Sequence, residues 1–476
     1  MWSALSHFSD QTIGEDTTVP TTKIVIVGAG SASFGPAVLG DLMQCDHLRG
    51  STIALCDVNA QGVDLMARLA ERLNREWDTG VTIEASTDRR DVLPGAEFVI
   101  VAIAVDREKC WRQDWEIPCK YGMRQPLGEN GGPGAVFHTA RNAPLILDIC
   151  RSMEELCPHA LLLNFTNPVP RMTLVASRYS KVKAVGLCHQ IGMGYAIVAL
   201  VLGKDLGFDF QYSGDEWEIY KVVFPRAREI HDMLDIKAAG INHFTFMLDI
   251  RHRQTGEDLY PLFARRLREF TPAIQPLSQH IFEAFGLFPA TGDGHLSEYV
   301  HWAHDPQCKP WEKYHLELYD WDGAGRQRDE MWHDIERMVE GGPLAERVRR
   351  GSGESALPVI LGVLENRNSY EVAVDVPNDG YISNLPDGAI VEVPGVVSRF
   401  GVRGMGVGPL PEPIAAILRT QLTVASLAVD AAVTGSKELA LQALLVDPMV
   451  NDIDQARALL DEMLEVQRAY LPQFHS

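Results

Sequence analysis

The stretch TKIVIVGAGSASFGP, residues 22–36, joins a β-branched run to a glycine turn and then to a proline-marked helix start. The β-branched run 22–27, with Ile and Val alternating from Ile24 to Val27, predicts a strand buried on both faces, as in a parallel sheet. Gly28 and Gly30 allow a tight turn and a close backbone approach to a pyrophosphate, which would sit at the positive end of the following helix. Ser33 occupies the usual third glycine position, Gly35 follows, and Pro36 is tolerated in a first helical turn. A second strand, 52–56, runs into Asp57, somewhat beyond the usual distance of about 20 residues. There a carboxylate can accept hydrogen bonds from an adenine ribose and repel a 2′-phosphate. A glycine turn and a solvated Asp would explain each residue separately. The order strand, turn, helix, strand, acid instead predicts a dinucleotide site lined by Gly28, Gly30, Ser31, Ser33, Phe34 and Asp57, with NAD favoured over NADP.

Outward from this unit, Val63, Met66, Leu69 and Leu73 recur at helical spacing over 60–74. Further strands are expected at 82–85, 98–103, 160–164 and 184–187, so strands and helices alternate as in a doubly wound parallel sheet. After about residue 190 the pattern mixes helices with strand-like runs at 220–224, 237–239 and 372–376. Two long helices are expected at 414–433 and 454–469, and 304–353, rich in Trp and charge, has no assignable pattern. The fold class is therefore α/β: a Rossmann-type domain over 21–190, a larger mixed α/β domain over 191–476, and a flexible arm over 1–20.

The 476 residues exceed what one simple core holds, which agrees with two lobes. A formal charge of −21 argues against a polyanionic partner such as nucleic acid. The N-terminus lacks the basic start and apolar stretch of a secretory signal, and no uninterrupted apolar run reaches membrane-spanning length, so a cytoplasmic protein is expected. The eight cysteines have no CxxC pair, so neither disulfides nor a zinc ribbon is expected, and Cys56 and Cys150 read as small buried hydrophobes.

Four later clusters carry chemistry. Asn164-Phe165-Thr166-Asn167-Pro168 and Leu187-Cys188-His189-Gln190 each end a predicted strand, at the edge where such sheets meet ligand. Asn242-His243 follows another short strand, and Thr291–Tyr299 crowds Asp293, His295, Glu298 and Tyr299 into one loop. Cys and His suit a transition metal, and few protein ligands leave positions for substrate oxygens. Taken singly, a buried Cys and a hydrogen-bonded His are commoner than a metal pair.

Together with Ile117-Pro118, Lys120-Tyr121-Gly122, Gly128, Gly131-Gly132-Pro133-Gly134, Pro377-Asn378 with Gly380, and Val391-Glu392-Val393-Pro394, these clusters resemble glycoside hydrolase family 4. The resemblance runs from about Lys23 to the C-terminus. It implies a lactate/malate dehydrogenase-like fold, a homo-dimer or homo-tetramer, and an NAD- and metal-dependent glycosidase outside the two-carboxylate scheme. The implied reaction oxidises sugar C3, removes the acidified C2 proton, expels the aglycone, adds water and returns the hydride. On this sequence the resemblance makes Cys188 and His243 ligands of a divalent metal, Mn²⁺, and Asn167 a substrate holder. It makes His189 the group assisting the leaving group and Asp293 the base.

Two departures from the family pattern fall on substrate loops: Gln190 where a small residue is usual, and Glu129-Asn130 where Asp-Thr is usual. With Arg141, these are expected to contact substrate. Lys109, Arg112, Arg124, Gln125, His138 and Arg141 flank that loop, so an anionic glycoside (a uronide or sulfoquinovoside) competes with a neutral α-glycoside, although each taken singly reads more readily as surface charge. The alternatives are a net NAD-dependent sugar or hydroxy-acid dehydrogenase and a non-catalytic NAD- or sugar-binding protein.

Overall fold

The computed structural model describes residues 20–475; the expected arm at 1–20 falls almost wholly outside the described residues. Six strands form the parallel part of one sheet: β1 (Lys23–Val27), β2 (Thr52–Cys56), β3 (Thr82–Ser86), β4 (Phe98–Val101), β5 (Leu161–Asn164) and β6 (Lys183–Gly186). Their spatial order is β3-β2-β1-β4-β5-β6, all parallel, which is the doubly wound dinucleotide-binding order. β1, β2, β4 and β5 are almost wholly buried, as their unbroken apolar runs require.

The sheet continues without a break. β7 (Leu234–Ile241) and β8 (Phe244–His252) form a hairpin, and β9 (Ser369–Pro377), β10 (Ile390–Ser398) and β11 (Gly401–Gly404) a meander. β9 joins β6 antiparallel, and β10 carries β7 on its other edge. The fold is thus a Rossmann-type sheet with a mixed α/β extension, as expected. One register row crosses the join, pairing Gly186 with Asp375, Asp375 with Glu392 and Glu392 with Gly240.

The helices over 60–74, 414–433 and 454–469 form as expected, at Ala60–Trp77, Glu412–Thr434 and Ile453–Val466. Residues 220–224, expected as a strand, instead form a π-helical turn (Ile219–Val223) running into a 3₁₀ turn. Ile219 and Val223, four apart, are the buried pair, and the rings of Tyr220 and Phe224 stack 5.0 Å apart. In a strand, residues four apart would share a face but lie about 13 Å apart, too far for either pairing. Residues 304–353 contain the helices Pro310–Lys313, Trp321–Val339 and Glu346–Arg350. Helix Glu412–Thr434 is the one described helix long and apolar enough to cross a membrane, and half of its apolar window is buried. It packs on helix Gly132–Leu156 and helix Lys437–Val446, as a core helix does. All eight cysteines are free, with Cys56 and Cys150 buried.

Candidate active site

At the carboxyl end of β1 the chain turns at Gly28 with φ +91°, and a Cβ there would lie 2.0 Å from the carbonyl oxygen of Ala102, just beyond β4. Only glycine fits, and this is the crevice where the strand order reverses. The Gly30 amide donates to Asp57 Oδ2 at 2.8 Å, and the Asn59 amide to Asp57 Oδ1 at 2.9 Å. Each oxygen keeps a free acceptor direction for a ribose hydroxyl. Helix Gly35–Met43 starts at the expected proline, and no side chain caps its N-terminus. A Cβ on Gly35 would lie 2.6 Å from the Ala29 carbonyl, so Gly35 provides the close packing that the third glycine normally supplies. Ser31 Oγ accepts from the Phe34 amide at 3.3 Å, the Phe34 ring packs tilted against Phe165 with centroids 5.2 Å apart, and Ser33 is exposed. These features fit a dinucleotide: a cradle that any Cβ would fill, an open helix start and an acid at the ribose position.

The second cluster assembles from segments far apart in sequence. Cys188 Sγ lies 3.4 Å from His243 Nε2. Burial and the carboxylates of Glu354 and Glu392 hold the Cys188 thiol well above its ordinary range. Burial, with His295 and His189 nearby, holds His243 neutral. A neutral imidazole facing a thiol that only a cation would ionise is a donor pair suited to a divalent metal. Their separation matches two donors each about 2.0–2.3 Å from one ion. Among the described residues no group of three or more His, Cys, Asp or Glu could hold a metal, so the protein would supply two such donors and leave positions for substrate.

His243 itself sits at φ +64° in the turn between β7 and β8, a strained position for a non-glycine residue. Glu392, buried in β10, secures both the turn that carries Cys188 and the turn that carries His243. Its Oε1 accepts from Gln190 Nε2 at 2.6 Å and Thr245 Oγ1 at 2.8 Å, and its Oε2 accepts from Asn242 Nδ2 at 2.7 Å. Neighbouring Asp375 is fully buried with no hydrogen-bond partner on either oxygen, and burial beside Glu392 holds its carboxyl far above the usual range. With three donors on Glu392 and none on Asp375, the pair keeps its proton on Asp375. Gln190, expected to meet sugar, is therefore a buried strut.

The Glu129-Asn130 loop reaches the same cluster. Asn167 Nδ2 donates to Glu129 Oε2 at 3.1 Å, and Asn130 Nδ2 to the same oxygen at 3.2 Å. The amides of Glu129 and Asn130 donate to Glu298 Oε1 at 3.0 and 3.1 Å, while Glu298 Oε2 meets His295 Nδ1 at 3.2 Å. The His295 ring stacks on His243 at 4.2 Å. Asp293, two residues earlier, accepts from the amides of Leu277 and Ser278 and from Ser278 Oγ, at 2.6–2.9 Å, at the start of helix Pro276–Phe285. Burial nevertheless pushes its carboxyl up to about 7, where it can take a proton near neutrality. His189 is exposed, with its Nδ1 2.6 Å from Glu354 Oε1, and that carboxylate raises its basicity.

The flanking basic residues are occupied elsewhere. Arg141, expected at substrate, is buried with both amino groups on Asp114, beside Gln467 and His138; a substrate would have to break that ion pair to reach it. His138 Nδ1 faces Asp114, and Gln125 donates to the Asp114 carbonyl. Arg124 donates to the Leu316 carbonyl and lies over Trp311, Arg112 pairs with Glu116, and Lys109 lies over Tyr470. Sequence reasoning missed Glu354 and left Glu392 without a role. An acid inside the β-branched run Val391-Glu392-Val393 was a signal for the second, because a buried unpaired acid is rare.

A sequence model described as family 4 glycosyl hydrolase matches residues 23–203, and one for the family's C-terminal domain matches 238–450. The chain is 32% identical to an α-glucosidase of Erwinia rhapontici, over 94% of this chain and 99% of that one. It is 31% identical to an α-galactosidase of Rhizobium meliloti, over 95% and 89%. Among solved structures, a 6-phospho-α-glucosidase from gut microorganisms, in complex with NAD and Mn²⁺, shares the fold at a TM-score of 0.77 and 20% identity, over 95% of this chain and all of that one.

Proposed function

The chain belongs to glycosyl hydrolase family 4, and from that premise we propose that it hydrolyses a neutral α-hexopyranoside, an α-glucoside or α-galactoside, by NAD-dependent oxidation and elimination. The observation that carries this reading is the meeting of Cys188, His243, Asn167, Glu129 and His295 at the carboxyl edge of a dinucleotide-type sheet. NAD, held by Gly28, Gly30 and Asp57, would supply a reversible hydride acceptor for sugar C3, and a cation on Cys188 and His243 a Lewis acid at the hydroxyl being oxidised.

The protein's own groups then have distinct tasks. Asn167, Glu129 and Asn130 orient sugar hydroxyls through the network that already joins them. Asp293 takes the C2 proton; its raised carboxyl range is compatible with that step. His189 donates a proton to the glycosidic oxygen as the C1–O bond breaks. Neutral specificity is supported by the engagement of Lys109, Arg112, Arg124, His138 and Arg141 away from the cluster, and by the acids Glu129, Glu298 and Glu354 within it, which would repel an anionic sugar.

Aryl α-glucosides, α-galactosides, α-galacturonides and sulfoquinovosides are compared with NAD and Mn²⁺. The neutral substrates are expected to turn over fastest, with strict NAD dependence and no accumulation of NADH. Faster turnover of the sulfonate or uronate overturns the specificity. Hydrolysis undiminished without NAD overturns the mechanism, and stoichiometric NADH would identify a net dehydrogenase.

A further inference from the structure

His189 does not stand alone at the site edge. Its Nδ1 meets Glu354 Oε1 at 2.6 Å, across 165 residues of sequence, and the Glu354 side chain is largely buried. Glu354 ends a short strap, Gly351-Ser352-Gly353-Glu354, with φ +80° at Gly351 and +76° at Gly353. The strap is pinned to Asp41, on the helix Gly35–Met43 that opens the cofactor cradle. The Ser352 amide donates to Asp41 Oδ2 at 2.9 Å, and Ser352 Oγ donates to the same oxygen. Ser352 Oγ in turn accepts from the Glu354 amide at 3.0 Å. A Cβ on Gly351 would lie 1.8 Å from Asp41 Oδ1, so the strap sits against the helix with no room to spare.

We propose that Glu354 is the positioning residue for His189: it accepts the Nδ1 proton, so that Nε2 is the atom presented to the glycosidic oxygen, while Asp41 holds the strap that carries Glu354. Which imidazole nitrogen is protonated is set by the hydrogen bond the other makes. A carboxylate on Nδ1–H fixes both the tautomer and the ring's orientation, and stabilises the imidazolium without taking the proton itself. The inference rests on the reading of His189 as the proton donor. In that step the proton leaves Nε2 for the leaving oxygen, and the C1–O electrons move to that oxygen. His189 remains as the neutral Nδ1–H tautomer, still bonded to Glu354.

The test uses the enzyme with NAD and Mn²⁺ and glycosides from 2,4-dinitrophenyl, which departs without protonation, to phenyl and methyl. Glu354→Gln is expected to lower kcat on phenyl and methyl glycosides by about 10–100-fold, within the range of general acid catalysis, and on the dinitrophenyl substrate by less than about threefold. Asp41→Asn should show the same pattern more weakly, and His189→Ala more strongly. An equal loss across the series in Glu354→Gln, with His189→Ala still selective, overturns the inference alone. An unselective His189→Ala overturns the His189 reading beneath it. Should Glu354→Gln not fold, ¹⁵N-histidine NMR of the wild-type enzyme, read at a pH where the His189 ring is neutral, decides: an Nε2–H tautomer refutes the proposal, and an Nδ1–H tautomer supports it.

Discussion

Glu392→Gln changes one oxygen to an amide nitrogen at the point where the turns carrying Cys188 and His243, the proposed metal ligands, are both secured. The native carboxylate accepts three hydrogen bonds, two on Oε1 and one on Oε2. A glutamine must turn its NH₂ toward one side. Facing Gln190 and Thr245 it loses two bonds, so the better orientation faces Asn242 and loses one. A hydrogen bond to a charged group contributes about 1.5–3 kcal/mol. At about 1.4 kcal/mol per tenfold in affinity, that loss weakens metal binding by about 10–100-fold if the bond preorganises the ligands. Outer partners of metal ligands have effects of the same order. The glycine turn after β1 and Asp57 after β2 lie on other strands, so NAD affinity should hold. Titrating Mn²⁺ by the EPR signal of the free ion, with NAD binding measured in parallel, gives both numbers. A Mn²⁺ affinity within about twofold of wild type, in a variant that is folded and binds NAD, would refute the reasoning.

Three further outcomes follow from the geometry. Gly28→Ala places its Cβ against the Ala102 carbonyl at a positive φ, so NAD binding measured by fluorescence should fall beyond detection or the protein should lose several kcal/mol of stability. Burial raises the Glu371 carboxyl from 4.5 to about 8, so the unfolded chain ionises there before the folded one does. Its contribution is present below about pH 4.5 and is lost as pH rises toward 8, at about 1.4 kcal/mol per unit. Glu371→Gln should therefore raise Tm at pH 8 relative to wild type, more than at pH 5, and equal shifts at both pH values would contradict this. Arg141→Ala strands Asp114 in the core and should cost about 3–5 kcal/mol in denaturant unfolding. A change confined to KM would restore Arg141 to the substrate site.

The first strands, the glycine turn and Asp57 were readable in the chain because they are local: an apolar run, a turn that only glycine tolerates, and an acid one strand later. Cys188, His243 and Asn167 were nameable through the family resemblance, since each ends or follows a strand at the sheet edge. Their neighbours were not. Gln190 and Arg141 are polar residues next to a loop of interest, which reads as substrate contact until burial shows one bonded to Glu392 and the other to Asp114. The π-helical turn at 219–223 had a β-branched composition, and packing at a spacing of four overrode it. Glu354 reaches His189 across 165 residues, and Glu392 reaches Gln190 across 202. Sequence alone determined the cofactor half of this enzyme, because a dinucleotide turn is made of consecutive residues. Only the tertiary structure decided how the Cys188–His243 cluster is held, because its partners meet through the antiparallel extension of the sheet, where pairing between distant strands brings them into contact.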